Sequence, residues 1–242
     1  MVLSLAACSS DNSDLNSKSD NQSKQSAKLQ SGDITNDSSK EDIANYYNEV
    51  MKIARADESF QGDDNLSISD IQLNGETKES VKNMILSIGN SAINSSSGGD
   101  YEIHVPYFGQ DVQVLPDDIE SFSVVDNGDT LTLNIKPVAE ENVTKRLNGP
   151  HGRFFEVYED IQSAVSQVDQ ISFPDGVDNS LKIDYYGGTV NFTIDKKTKK
   201  ILSGSTDMVV LLNITNAKVS ILTLKSCTVT LSYKVDFPKA AE

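Results

Sequence analysis

Alternation of apolar and polar residues dominates the C-terminal part of the chain and limits what it can fold into. Val190, Phe192 and Ile194 alternate into the turn Asp195-Lys196-Lys197-Thr198-Lys199, and Met208, Val210, Leu212 and Ile214 continue the pattern beyond it. From Ala217 to Phe237 the odd positions are apolar, apart from Thr223 and Lys225. A period of two is that of a strand with one buried face. Such strands need an antiparallel sheet with something packed on its apolar side. Read as a single strand, residues 217–237 would span about 70 Å at about 3.3 Å per residue. A bend or bulge is therefore expected near Thr223–Ser226, where the parity weakens.

Upstream, the period changes to that of a helix. Ser39 can cap a helix from about Lys40 to Arg55, with Ile43, Tyr46, Tyr47, Val50, Met51 and Ala54 in one stripe and Glu41 and Asp42 in the first turn. Leu66 and Ile68, then Ile71 and Leu73 on the other parity, suggest a short strand. A second helix is expected from about Lys78 to Ile93, with Val81, Met84, Ile85, Ile88 and Ala92 as its stripe. Asp126-Asn127-Gly128-Asp129, between Phe122/Val124 and Leu131/Leu133/Ile135, reads as a hairpin. A third helix should follow Gly149-Pro150, because Phe154, Val157, Tyr158, Ile161, Val165 and Val168 repeat at spacings of three and four. The expected fold class is α+β: a long, curved antiparallel sheet with about three amphipathic helices packed on one face.

The opening residues carry a different kind of information. Leu5-Ala6-Ala7-Cys8 resembles a bacterial lipobox, in which the Cys thiol is diacylated and the chain is cut just before it. A complete signal has a basic start and a longer apolar core. Here only Val2–Ala7 precede Cys8, so a truncated or mis-assigned start is expected. Residues 9–38 are almost wholly Ser, Asn, Asp, Lys, Gln and Thr and bury too little apolar surface to order themselves. The organisation expected is thus 1–8 as signal remnant and lipobox, 9–38 as a disordered polar tether, and 39–242 as a single domain. With Cys8 lipidated, Cys227 has no partner for an intramolecular disulfide and falls among apolar strand neighbours as a buried, inert thiol.

Charge and motif content exclude more than they assign. The 21 Lys+Arg against 36 Asp+Glu give a net charge of −15, which disfavours nucleic acid as a partner. No apolar run approaches the roughly 18–20 residues that span a bilayer as a helix. Nucleophile elbows, zinc-protease motifs, phosphate-binding glycine loops and Cys-x-x-Cys are all missing, so no enzyme activity and no cofactor is expected. Asp57, Glu58, Asp63 and Asp64 lack calcium-loop spacing, and no metal is expected. The adjacent pairs Asp117-Asp118, Glu140-Glu141 and Glu159-Asp160 can each turn only one member toward a shared site. His104 lies in an alternating stretch. His151, in Gly149-Pro150-His151-Gly152-Arg153, marks either a plain helix-start turn or a place where an anion meets a helix N-terminus beside Arg153. The lysines at 196, 197, 199 and 200 form either an ordinary charged hairpin loop or a contact for anionic head groups.

Across roughly residues 120–237 the architecture resembles the tubular lipid-binding superfamily typified by bactericidal/permeability-increasing protein. It is similar, too, to lipoprotein carriers built from a half-barrel sheet and a helical plug. The resemblance is one of architecture, without a residue motif, and it implies carriage or sensing of acyl chains in an apolar cavity. Phe154, Tyr158, Ile161, Phe192, Met208 and Val229 are the residues expected to line such a cavity. The sequence therefore reads as a non-enzymatic bacterial lipoprotein of the cell envelope, anchored outside the cytoplasm by the lipid on Cys8 and binding a lipid or other apolar ligand. The alternatives are a structural or protein-interaction lipoprotein with a fully packed core, and a hydrolase with non-standard residues. In a bacterial host making the chain with a complete signal, Cys8→Ala should abolish incorporation of labelled palmitate and move the protein from the membrane to the soluble fraction.

Overall fold

The computed structural model describes residues 33–57, 60–73, 79–96, 112–143, 149–155, 170–219 and 222–238. The alternating C-terminal segments form three long antiparallel neighbours, β6 (Leu181–Asp195), β7 (Ile201–Val219) and β8 (Leu222–Phe237). They follow β1 (Asp63–Leu73), β2 (Ile119–Asp126), β3 (Thr130–Pro137), β4 (Glu140–Val143) and β5 (Ile171–Ser172) in the chain. Together they make one eight-stranded antiparallel sheet in the order β1-β8-β7-β6-β3-β2, with β4 on β6 and β5 on β7. Four helical segments accompany it among the described residues: α1 (Lys40–Arg55), α2 (Glu79–Ser96), α3 (Pro150–Phe154) and α4 (Val177–Ser180). The fold class is α+β.

Three local irregularities keep the apolar side chains on one face. In β1 the register shifts between Ile68 and Asp70, where the sequence parity changes, so that Ile68 and Ile71 remain in line with Leu231 and Val229 of β8. In β6 the ladder slips between Tyr186 and Thr189, and Gly187 at φ +68° supplies the left-handed residue the bulge needs. Tyr185 before it and Val190 after it then both face the core. The third lies in β7 and β8. Residues 217–237 are not one bent strand: β7 pairs antiparallel with β8 up to Val219 opposite Leu222, so they belong to two strands. The parity break is nevertheless where the pattern weakens. Asn216 takes φ +47°, flanked by the pairs Thr215–Ser226 and Ala217–Leu224. On its far side the buried positions change from even to odd in β7 and from odd to even in β8.

Ser39 and Asp42 form the reciprocal capping pair that starts α1, and the whole expected stripe of that helix is buried together with Ala44. The fold, however, begins before the helix. Residues 33–38, expected in the tether, are part of it: Ile34 is buried, and the Asn36 amide bonds the edge strand β2 as another strand would. Its Nδ2 donates to the Val124 carbonyl at 2.9 Å, and its Oδ1 accepts from the Val124 N–H at 2.7 Å. The Lys40 ammonium adds a bond to the Ile119 carbonyl at 2.6 Å. Asn48 repeats the device on Val114, with both bonds at 2.9 Å. A strand edge left unpaired invites another chain, and here the Asn36 amide occupies part of that of β2. Residues 9–32 of the expected tether, and Cys8 with them, lie outside the described residues.

The third helix departs from expectation within its first turn. α3 ends at Phe154, and Phe155 is extended at φ −126°, ψ 155°. The reason is tertiary: the Phe155 ring lies against the bare backbone of Gly188 in β6, a contact that continuation of the helix would not make. The remainder of that expected helix falls outside the described residues. Replacing Asn36 by Ala should cost about 1 kcal/mol, the usual worth of such bonds at a partly exposed site, read as a lower urea midpoint at unchanged m-value.

Candidate functional site

The apolar face of the sheet meets the helices along a run of aromatic rings. Phe60 stacks on Phe237 at 5.4 Å, Phe237 meets Phe192 edge-on at 5.9 Å, and Phe192 faces Tyr47 of α1 at 6.4 Å. Tyr47 touches Phe154 at 5.2 Å and Phe154 touches Phe155 at 6.2 Å. Beyond Phe155 come His151 at 5.7 Å and, from His151, Tyr185 of β6 at 5.4 Å. Of the expected cavity residues, Phe154 and Phe192 both belong to this run. Met208 and Val229 sit elsewhere on the same face, and Tyr158 and Ile161 lie outside the described residues, as does His104.

Burial is uneven across that face. The inward residues of β3 and β6, from Leu131 to Ile135 and from Leu181 to Ile194, are 0–1% exposed. Those of β7 and β8 are less well covered: Met208, Val210, Leu212, Ile214, Val229 and Tyr233 retain 3–7%. Leu231 of β8 and Leu66, Ile68 and Leu73 of β1 are only partly buried. Over this flank lies α2, which approaches β1 where Gly89 meets Ile68 and where Lys82 pairs with Asp70 at 3.8 Å. Of the described side chains of α2 only Ile85 is buried; Val81, Met84, Leu86 and Ile88 are half-covered. Phe154 and Phe192 thus belong to a sealed half, while Met208 and Val229, also buried, border a looser seam formed by Leu231 and the partly covered residues of β1 where α2 approaches.

At the inner border of the sealed half sits a polar knot. In the two described acid pairs one member turns inward, Asp118 and Glu140, while Asp117 and Glu141 face solvent; Glu159-Asp160 lies outside the described residues. The Glu140 carboxylate occupies the start of α3, accepting from the His151 backbone N–H at 2.8 Å and lying 3.0 Å from His151 Nδ1. Gly149 makes room for it, since a Cβ there would collide with the carboxylate. The place that an outside anion would take in the alternative reading of this turn is therefore filled by the protein's own carboxylate. Arg153 turns the other way and pairs with buried Asp118 at 2.6 Å, whose second carboxylate oxygen accepts from the Leu115 N–H at 2.7 Å. His151 is 0% exposed, and its Nε2 has no partner among the described residues.

Further buried polar atoms without partners among the described residues are the Tyr46 and Tyr47 hydroxyls and Arg55 Nε. Burial pushes the Tyr46 phenol up to about 12, helped by Asp33, Glu49 and Asp195, and raises that of Tyr47 further still. Cys227 is free, buried, and lifted by desolvation to about 11, which keeps it a protonated and poor nucleophile at neutral pH. The lysine hairpin is drawn onto the fold. Lys196 pairs with Asp126 and Lys200 with Asp57, while Lys199 pairs with Glu49 and lies 5.2 Å over the Tyr46 ring. Three of its four lysines thus serve the protein's own acids, which favours the ordinary charged-loop reading. No cluster of three or more His, Cys, Asp or Glu side chains suited to a metal occurs among the described residues. No helix among them is long and apolar enough to cross a membrane.

No protein-family model, curated protein or solved structure matches the chain. Glu140→Ala should strand two buried donors of His151 and cost about 1–3 kcal/mol. Glu140→Gln, which keeps an acceptor there, should cost less when both are compared by chemical denaturation.

Proposed function

We propose that this chain is a membrane-anchored, non-enzymatic lipoprotein, tethered by lipid on Cys8, in which helices pack on the apolar face of a curved sheet and enclose a site for an acyl chain or other apolar ligand. The observation that carries this reading is the contrast in burial across one continuous apolar face. Cores close-pack, yet on this face β3 and β6 are sealed while Leu231 of β8 and Leu66, Ile68 and Leu73 of β1 stay only partly buried. A face of branched aliphatics beneath a half-covered amphipathic helix suits a flexible hydrocarbon, which gains about 0.8 kcal/mol for each methylene removed from water. In this reading the site is the seam beside α2, centred on Leu231 and Ile68, with Met208 and Val229 on its inner border. Phe154 and Phe192 form its rear wall instead of its lining.

The test uses the full chain carrying Cys8→Ser, so that a lipid attached to the thiol cannot be mistaken for a ligand. Native mass spectrometry after expression in bacteria, followed by solvent extraction, should reveal acyl-chain species in stoichiometric amounts. Leu231→Trp should fill the seam and release them at unchanged far-ultraviolet dichroism. A clean apo mass for both proteins, with no uptake of added fatty acid, would transfer support to the alternative of a protein-interaction lipoprotein with a packed core.

A further inference from the structure

His151 combines three properties that a helix-start turn does not require. Its ring is fully buried, its Nδ1 faces Glu140, and its Nε2 has no partner among the described residues. An ionised carboxylate only accepts, so with Glu140 in that state Nδ1 carries the hydrogen, and whenever the ring is neutral Nε2 presents a lone pair. A buried acceptor without a donor has given up water for nothing in return, and such atoms in folded proteins call for a water or a ligand. The turn itself would be equally well served by Glu140 and the His151 backbone N–H, without any imidazole.

The position of the ring says what would meet it. Tyr185, 5.4 Å from His151, begins one cross-strand row that runs through Val210 of β7 and Leu231 of β8 to Ile68 of β1, where α2 crosses at Gly89. At about 4.8 Å between strands that row is about 14 Å long, within reach of an extended medium-length acyl chain. Every residue between its two ends is aliphatic. A linear amphiphile lying along it would have its hydrocarbon in the seam under α2 and its head at His151. The guanidinium of Arg153 is held by Asp118, so α3 offers the head group no unengaged cation.

We infer that His151 Nε2 is the polar end of the seam and accepts a hydrogen bond from the O–H of a single-chain amphiphile, a protonated fatty acid or a fatty alcohol. This assignment rests on the reading of the seam as a ligand site, and it adds the class of head group. Glu140 acts here as a positioning residue, holding the imidazole in the tautomer that accepts at Nε2.

The chain contains only two histidines, which makes the imidazole nitrogens directly observable. The full chain with Cys8→Ser, labelled with 15N and delipidated, is titrated with lauric acid, lauryl alcohol and methyl laurate. His151→Phe identifies which signals are those of His151. The acid and the alcohol should bind and move the Nε2 resonance, and the ester, which lacks the donor, should bind about tenfold more weakly and leave it in place. His151→Phe should erase that preference while still binding the ester. If this variant does not fold, the wild-type titrations decide alone. Equal binding of acid and ester, or an Nε2 resonance unmoved by bound acid, overturns the assignment and leaves the seam standing as a site. Binding of the acid without the alcohol also overturns it, in favour of a carboxylate on an imidazolium. Failure of all three to bind overturns both.

Discussion

The three-strand ladder of β6, β7 and β8 is the constraint on which the other elements depend. These strands are 15, 19 and 16 residues long, and their pairings place row after row of apolar side chains on the same face. β3 and β4 add to one margin, β1 to the other, and β5 lengthens the β6 side of β7. A face of that size costs too much to leave in water. The rings of α1 and of α3 find their partners on it, Tyr47 on Phe192 and Phe155 on Gly188.

Long ladders need interruptions to stay in register with their burial, and here each interruption also positions something. The Gly187 bulge returns β6 to its core face just beyond Tyr185 and leaves Gly188 bare for the Phe155 ring. That ring stops α3 after one turn and sets His151 beside Tyr185, with Glu140 delivered from β4 on the same margin of β6. The polar knot is therefore a product of strand register as much as of its own hydrogen bonds. At the other margin, β1 keeps its apolar side chains in line by a bulge, but among the described side chains of α2 only Ile85 is buried there, and the result is the seam.

Much of this was readable in the chain. The strand segments, the 126–129 hairpin, the stripe of α1 and its Ser39 cap all follow from local periodicity and turn chemistry, which need no knowledge of distant partners. The parity change between Ile68 and Ile71 was visible too, and the structure explains it as a bulge. The cavity residues were harder. Phe192, Met208 and Val229 stand out by alternation and Phe154 by helical spacing, and either pattern identifies a face without saying which part of it is well covered. Asn36 carried no signal either: an Asn in a polar stretch looks like its neighbours until an edge strand is set beside it.

The sequence by itself determined the antiparallel sheet, the helix preceding it and the acidic balance, because period, capping and charge are properties of neighbours along the chain. Tertiary contacts alone set where α3 ends, that Glu140 and not an outside anion fills its first turn, and that three of the four lysines of the 195–200 hairpin pair with the protein's own carboxylates. Those outcomes depend on contacts between residues far apart in the chain, Phe155 with Gly188, Glu140 with His151, Lys199 with Glu49. Their energies come from burial and geometry that no local pattern encodes.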